Sequence, residues 1–252
     1  MKRVAIALTV VLGLVVAAGL GCSLTGGETN AQVFARYAPR FEELRARLKT
    51  IAESLPQTGS IDLPNRAGPL APPPVFDVPG EEFNTAFVMY EEALDPDVEI
   101  ETPANFTLRL DDANLVTHLR WTGAASPMSS SALNSAARSE LAGELERSLN
   151  LEYLVVVRTL GYEPPVVAGD AYTGGRVSLE VFLVRFESGE VLAGFPVSAA
   201  PESEVMSHFR EGTDDPTERG AAFVYSSLWR NAREEVARKL TEFTGGKFEF
   251  ER

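Results

Sequence analysis

One cysteine and two histidines are all that this chain of 252 residues contains of either type, and the scarcity removes several kinds of chemistry. A single thiol, Cys22, cannot close a disulfide within the chain and offers no thiolate cluster for a structural zinc. His118 and His208 lie ninety positions apart, without the close ligand spacing of a metal site. A strand or surface position is the plain expectation for His118, and no metal or other cofactor is expected. Basic residues are also scarce: 23 stand against 36 acidic ones, a formal net charge of −13. Nucleic-acid binding needs basic patches that displace counterions, so nucleic acid is excluded as a partner. A surface this acidic repels anionic lipid headgroups as well. The apolar share of 44%, with 9% aromatic residues, is that of a globular protein rather than a wholly disordered chain.

Catalytic signatures are missing too. There is no GxSxG, HExxH, P-loop or GxGxxG pattern. Ser135-Ala-Ala-Arg138 departs from SxxK at the residue that matters, because arginine cannot act as a base at neutral pH. Ser129-Ser130-Ser131 reads as a loop and N-cap. In the acidic stretch 211–215, Asp215-Pro216-Thr217-Glu218 reads as a helix start, with Asp at N-cap, Pro at N1 and Glu at N3, rather than as a cation site. No catalytic residue is assigned, and the chain reads as a non-enzyme. The alternative is a carboxylate-dependent hydrolase, since 36 acids leave room for a pair that only the fold would bring together.

What is present starts at the amino terminus. Lys2 and Arg3 precede a charge-free run, Val4 to Leu20, which is the layout of a secretory signal. The run ends in Gly19-Leu20-Gly21-Cys22, which resembles the lipobox of bacterial lipoproteins. That resemblance implies residues 1–21 as a signal peptide, acylation of the Cys22 thiol, cleavage before it, and acylation of the new amino terminus. Ser23 after the cysteine implies sorting to the outer membrane. A chain starting at Cys22 would carry 21 basic and 36 acidic residues, net −15.

Beyond the anchor, residues 22–30 read as a tether. Residues 31–55 read as an amphipathic helix, with Phe34, Tyr37, Phe41, Leu44, Leu48, Ile51 and Leu55 spaced alternately by 3 and 4. An ordinary helix packed on its own domain and a self-associating seam both fit. Residues 56–80 hold seven prolines and read as a linker. They could extend as a spacer, or lie along their own domain through Leu70, Val75, Phe76 and Val78. Residues 81–252 read as one α+β domain. Its expected parts are a short helix at 83–94, a hairpin from strands at 105–110 and 115–121, a helix at 131–150 and a buried strand at 153–158. A hairpin at 177–197, a helix from about 216 to 243 capped by Gly245-Gly246, and an edge strand at 248–250 complete it. The fold class is therefore α+β, an open, mostly antiparallel sheet from two hairpins and a buried central strand, packed by two amphipathic helices.

The segments SELAGELERSLNLEYLVVVRT and VSLEVFLVRFESGEVLAGFPV, with the turn Ser188-Gly189-Glu190, give this order a likeness. It is similar to the open-sheet domain of outer-membrane lipoproteins that activate penicillin-binding proteins. The resemblance implies a non-enzymatic role in the cell envelope and transfers no interface residue. The loop expected at 161–175 carries Tyr162, Asp170 and Tyr172 among glycines and prolines, and aromatics on such a loop suit recognition. The expectation is a lipid-anchored envelope protein that presents a binding or scaffolding domain to the periplasm and meets an envelope partner there. Self-association through residues 34–55, as a structural lipoprotein, is a further alternative.

Overall fold

A computed structural model describes residues 30–60, 63, 68–98, 113–122, 138–168, 171–201 and 216–250. In chain order the elements are α1 (Asn30–Ser54), β1 (Val75–Phe76), β2 (Thr85–Met89), α2 (Tyr90–Leu94), α3 (Ala113–Thr122), α4 (Arg138–Leu149), β3 (Tyr153–Ala168), β4 (Ala171–Arg185), β5 (Val191–Ala199), α5 (Pro216–Thr244) and β6 (Lys247–Phe248). The apolar run Tyr153-Leu-Val-Val-Val157 explains the layering. Side chains alternate across a strand, so a run apolar at every position needs cover on both faces. β3 accordingly lies inside a four-stranded sheet of order β2-β3-β4-β5, parallel to β2 and antiparallel to β4, which in turn is antiparallel to β5. Tyr153, Val155 and Val157, with Leu179, Val181 and Leu183 of β4, pack with Leu228, Ala232, Val236 and Leu240 of α5. Leu154, Val156, Phe182 and Val184 face the other way. They pack with Phe41, Leu44, Leu48 and Ile51 of α1, Leu115 and Leu119 of α3, and Leu141 and Leu145 of α4. The fold is α+β, with α5 on one face of the sheet and the other helices on the opposite face.

Three sequence expectations give way here. Residues 115–121 are helix, not the second strand of a hairpin: Leu115, Val116, His118 and Leu119 are all buried, and that i, i+1, i+3, i+4 pattern is one helical face. The partner strand expected at 105–110 lies outside the described residues. Residues 83–94 are not one helix. Thr85 to Met89 are buried at every position and pair in register with Tyr153 to Val157, and only Tyr90–Leu94 turn helical. The described parts of the expected loop, 161–168 and 171–175, are strand, as described below. Of the helix expected at 131–150, the described part is Arg138–Leu149.

The Pro-rich stretch lies along the domain in its described part. Leu70, Val75 and Phe76 are buried, β1 pairs in parallel with β6, and the Leu70 amide donates to the Thr244 carbonyl at 2.9 Å. Gly245, at φ 69°, closes α5 by donating its amide to the Thr241 carbonyl, which is the left-handed C-cap. Gly246 is needed for a different reason, since a Cβ there would stand 2.5 Å from the Pro74 carbonyl oxygen. Glycine thus lets the chain end lie flat against the Pro-rich segment.

Candidate functional site

β3 and β4 outrun their neighbours. β2 accompanies β3 only from Tyr153 to Val157, and β5 leaves β4 at Val177. Past those points the two strands continue, among the described residues, as a two-stranded arm, whose pairs run from Tyr162↔Val177 to Ala168↔Ala171. A two-stranded ribbon alone is marginal in water, so the arm needs support at its root.

A β-bulge supplies it. Thr159 pairs with Leu179 and Gly161 with Ser178, so Leu160 is the extra residue. One inserted residue changes which face every following side chain takes. Tyr162 therefore lies on the α5 side, opposite Val177. Its ring stacks 5.9 Å from Trp229 at 8° and 6.5 Å from Tyr225 at 29°. Burial, and then the adjoining Tyr225 hydroxyl, holds Tyr162 ionisation far above the usual phenol range. The Trp229 indole N–H is buried there without a hydrogen-bond partner. Leu160, displaced by the bulge, is 39% exposed, and Val166 is 65% exposed. These two are the large exposed hydrophobic side chains among the described residues, and both belong to the arm.

The arm offers side chains rather than strand edges. Pro164 and Pro165 remove two consecutive amide donors from β3, one of them on its outer edge. On β4, Gly174 and Gly175 take φ values of 71° and 88°, which breaks the extended edge. At Gly175 a Cβ would meet Pro201 Cγ at 3.0 Å and Pro165 Cβ at 3.1 Å. Both edges are blunted against strand addition. Of the expected binding trio, the two described members lie five pairs apart along the arm. Tyr162 is a root residue packed on α5, Tyr172 belongs to β4 opposite Val167, and Asp170 lies outside the described residues. Cys22 lies outside them as well.

Two buried polar pairs sit on the sheet face opposite α5. Arg158 and Glu180, directly cross-strand, are 7% and 2% exposed and meet at 3.1 Å. Arg158 also donates to the Pro56 carbonyl at 2.9 Å, and Glu180 accepts from the Gly59 amide at 2.8 Å, so the pair holds the turn after α1. The guanidinium lies 4.3 Å from the Tyr90 ring centre. The only sequence signal for this pair is that each member interrupts an otherwise apolar strand. The second pair is His118 Nδ1 and Ser148 Oγ, 3.0 Å apart and joining α3 to α4. A serine beside a histidine has the makings of an activated nucleophile. Here both groups are sealed, and the imidazole is pushed down to about 4, first by burial and then by Arg147. The pair joins α3 to α4 in the interior.

The two carboxylates buried among the described residues, Glu92 and Glu180, are each bonded to an arginine, Arg120 and Arg158. Among the described residues no group of histidine, cysteine and acidic side chains is placed to hold a metal ion.

No family model matches the chain, and no curated protein matches it. A solved structure that does match is a hypothetical protein from Chlamydia trachomatis, 15% identical, covering 65% of this chain and 96% of that one, with a TM-score of 0.26.

Proposed function

We propose that this is a lipid-anchored cell-envelope protein whose α+β domain is a non-catalytic binding or scaffolding module facing the periplasm. The observation that carries the reading is the placement of the one cysteine. Cys22 follows a basic start and a charge-free run of seventeen residues, and a chain that uses cysteine nowhere else has little other use for it there. Two or three acyl chains at ~0.8 kcal/mol per buried methylene hold a protein stably. Serine at position 23 favours the outer membrane. Among the described residues, the buried carboxylates Glu92 and Glu180 are each engaged by an arginine rather than left free for acid–base work, which supports binding over hydrolysis.

The arm is the partner-facing element in this reading, because its root is braced by stacked aromatics while Leu160 and Val166 stay in water. Metabolic labelling with palmitate should mark the wild-type protein and not Cys22→Ala; label that survives the substitution ends the anchor reading. A photocrosslinker at Val166, used in intact envelopes, should capture one discrete envelope protein, while the same group at the exposed Glu53 should not. Equal capture at both positions ends the assignment of the arm.

A further inference from the structure

We propose that Arg158, at the root of the arm, is the anchor point for a polypeptide segment of the partner. Main-chain carbonyls of that segment bond the edge of the guanidinium formed by Nε and Nη2. The proposal rests on the reading of the arm given above and names the chemistry by which its root is recognised.

The guanidinium is held on its other sides. Its carbon lies 4.3 Å from the Tyr90 ring centre and 5.3 Å from that of Phe182. Nη1 donates to Glu180 at 3.1 Å and to the Pro56 carbonyl at 2.9 Å. Nε is buried without an acceptor, and Nη2 makes no hydrogen bond among the described residues. These two nitrogens share one edge of a rigid fork, and a buried donor left unbonded is costly.

Elsewhere in this fold the same edge takes main chain. Nε and Nη2 of Arg47 bond the Phe186 and Glu187 carbonyls. Those of Arg120 bond the Pro96 and Val98 carbonyls, with Glu92 also on Nη2. Arg158 presents this edge beside the arm, two residues before Leu160, which is 39% exposed. Charge selects a neutral acceptor. Glu180 already balances Arg158, and in a chain of net −13 a further carboxylate is repelled. The edges of the arm are blunted, so the segment is held by a side chain rather than added as a strand. Arginine is a favoured interface anchor, and one already fixed loses little freedom on binding. The side chain is 8% exposed, so a carbonyl meets Nη2 first. Reaching Nε takes a side-chain adjustment of the kind common at interfaces.

Arg158→Met/Glu180→Met removes this edge and its balancing charge together, which keeps the core neutral, and a thermal melt checks the fold. With the photocrosslinker at Val166 in intact envelopes, this variant should capture the wild-type partner at least tenfold less. Capture within twofold of wild type overturns the role of Arg158 and leaves the arm reading standing. Equal capture at Val166 and Glu53 in the wild type ends the arm reading, and this proposal with it. Where the variant fails to melt cooperatively, a titration of the isotope-labelled mature protein in detergent micelles decides. N-acetylglycine N-methylamide, a neutral carbonyl probe, should shift the Arg158 Nε–H resonance at least threefold more than that of Arg238, whose Nε already bonds Glu235 at 2.8 Å. Equal shifts at the two arginines, or a larger Arg158 shift with sodium acetate than with the amide, overturn the carbonyl site.

Discussion

His118 and Arg158 are both buried on the side of the sheet opposite α5, yet they respond oppositely to a change in charge. His118 is neutral in the folded protein, held at about 4 against an ordinary value of 6.5. Because the folded value is the lower one, the unfolded chain binds the proton first as pH falls. The stabilisation tied to a neutral imidazole is therefore complete above pH 6.5. It drains away between about 6.5 and 4, by up to about 3 kcal/mol at 1.36 kcal/mol per unit. Urea melts of the wild type at pH 7 and pH 4.5 should differ more than those of His118→Gln, which keeps a polar group for Ser148 and does not titrate. Equal differences would mean that the imidazole is not buried neutral. Arg158 and Glu180 instead form a buried ion pair. Arg158→Met leaves the Glu180 carboxylate sealed against the sheet, which costs about 3–5 kcal/mol. Adding Glu180→Met should recover a large part of that loss, and thermal melts of both variants check it. Neither pair is legible in the sequence. The identities of Arg158 and Glu180 are plain there, but that they oppose each other is a fact of strand register.

At the scale of elements, the legible parts are those with one dominant signal over many residues. The run at 153–157 is apolar at every position, and the face of α5 from Val224 to Leu240 repeats at helical spacing. Residues 115–121 mislead because seven positions satisfy alternation and helical spacing almost equally, and packing against Phe41 and Ser148 decides between them. The glycines and prolines of 161–175 have the composition of a loop. In the fold they blunt the edges of a ladder, a purpose that composition alone does not distinguish from a turn. The bulge inside that ladder makes a sharp prediction. Leu160 is partly exposed, so Leu160→Ala should move stability by no more than about 0.5 kcal/mol. Deleting Leu160 should cost several times more, because the deletion turns Tyr162 away from Trp229 and puts its neighbours on the α5 side. Denaturant midpoints for the two variants measure the contrast; similar midpoints would show that the bulge does not set the register. A second contrast lies at the end of α5. Gly245→Ala meets an unfavourable φ costing roughly 1 kcal/mol. Gly246→Ala drives a Cβ into the backbone oxygen of Pro74, so it should cost more and loosen β1 from β6.

For the whole molecule, the decisive feature is that α1 is part of the core. The 3–4 spacing of its apolar residues is visible in the sequence, but a seam for a second chain and a face for its own sheet have the same spacing. The fold answers with coverage: Phe34, Phe41, Leu44, Leu48, Ile51 and Leu55 are buried within the chain, against α3, α4 and the even-numbered side of β3 and β4. Arg45 reinforces this by bonding the Leu119 carbonyl and Asp97 at once, and Arg47 by bonding the Phe186 and Glu187 carbonyls. Self-association through this face would require α1 to leave the sheet. Each fully buried aliphatic or aromatic side chain contributes about 1.5–3 kcal/mol. Six of them amount to roughly 9–18 kcal/mol, as large as the whole stability of a typical domain, about 5–15 kcal/mol. A chain starting at residue 56 should therefore fail to fold, giving collapsed amide dispersion by NMR and no cooperative melt. A chain starting at residue 30 should unfold cooperatively and sediment as a monomer at micromolar concentration. If the shorter chain melts cooperatively, α1 is an appendage rather than a layer of the core, and the seam is free for a second copy after all.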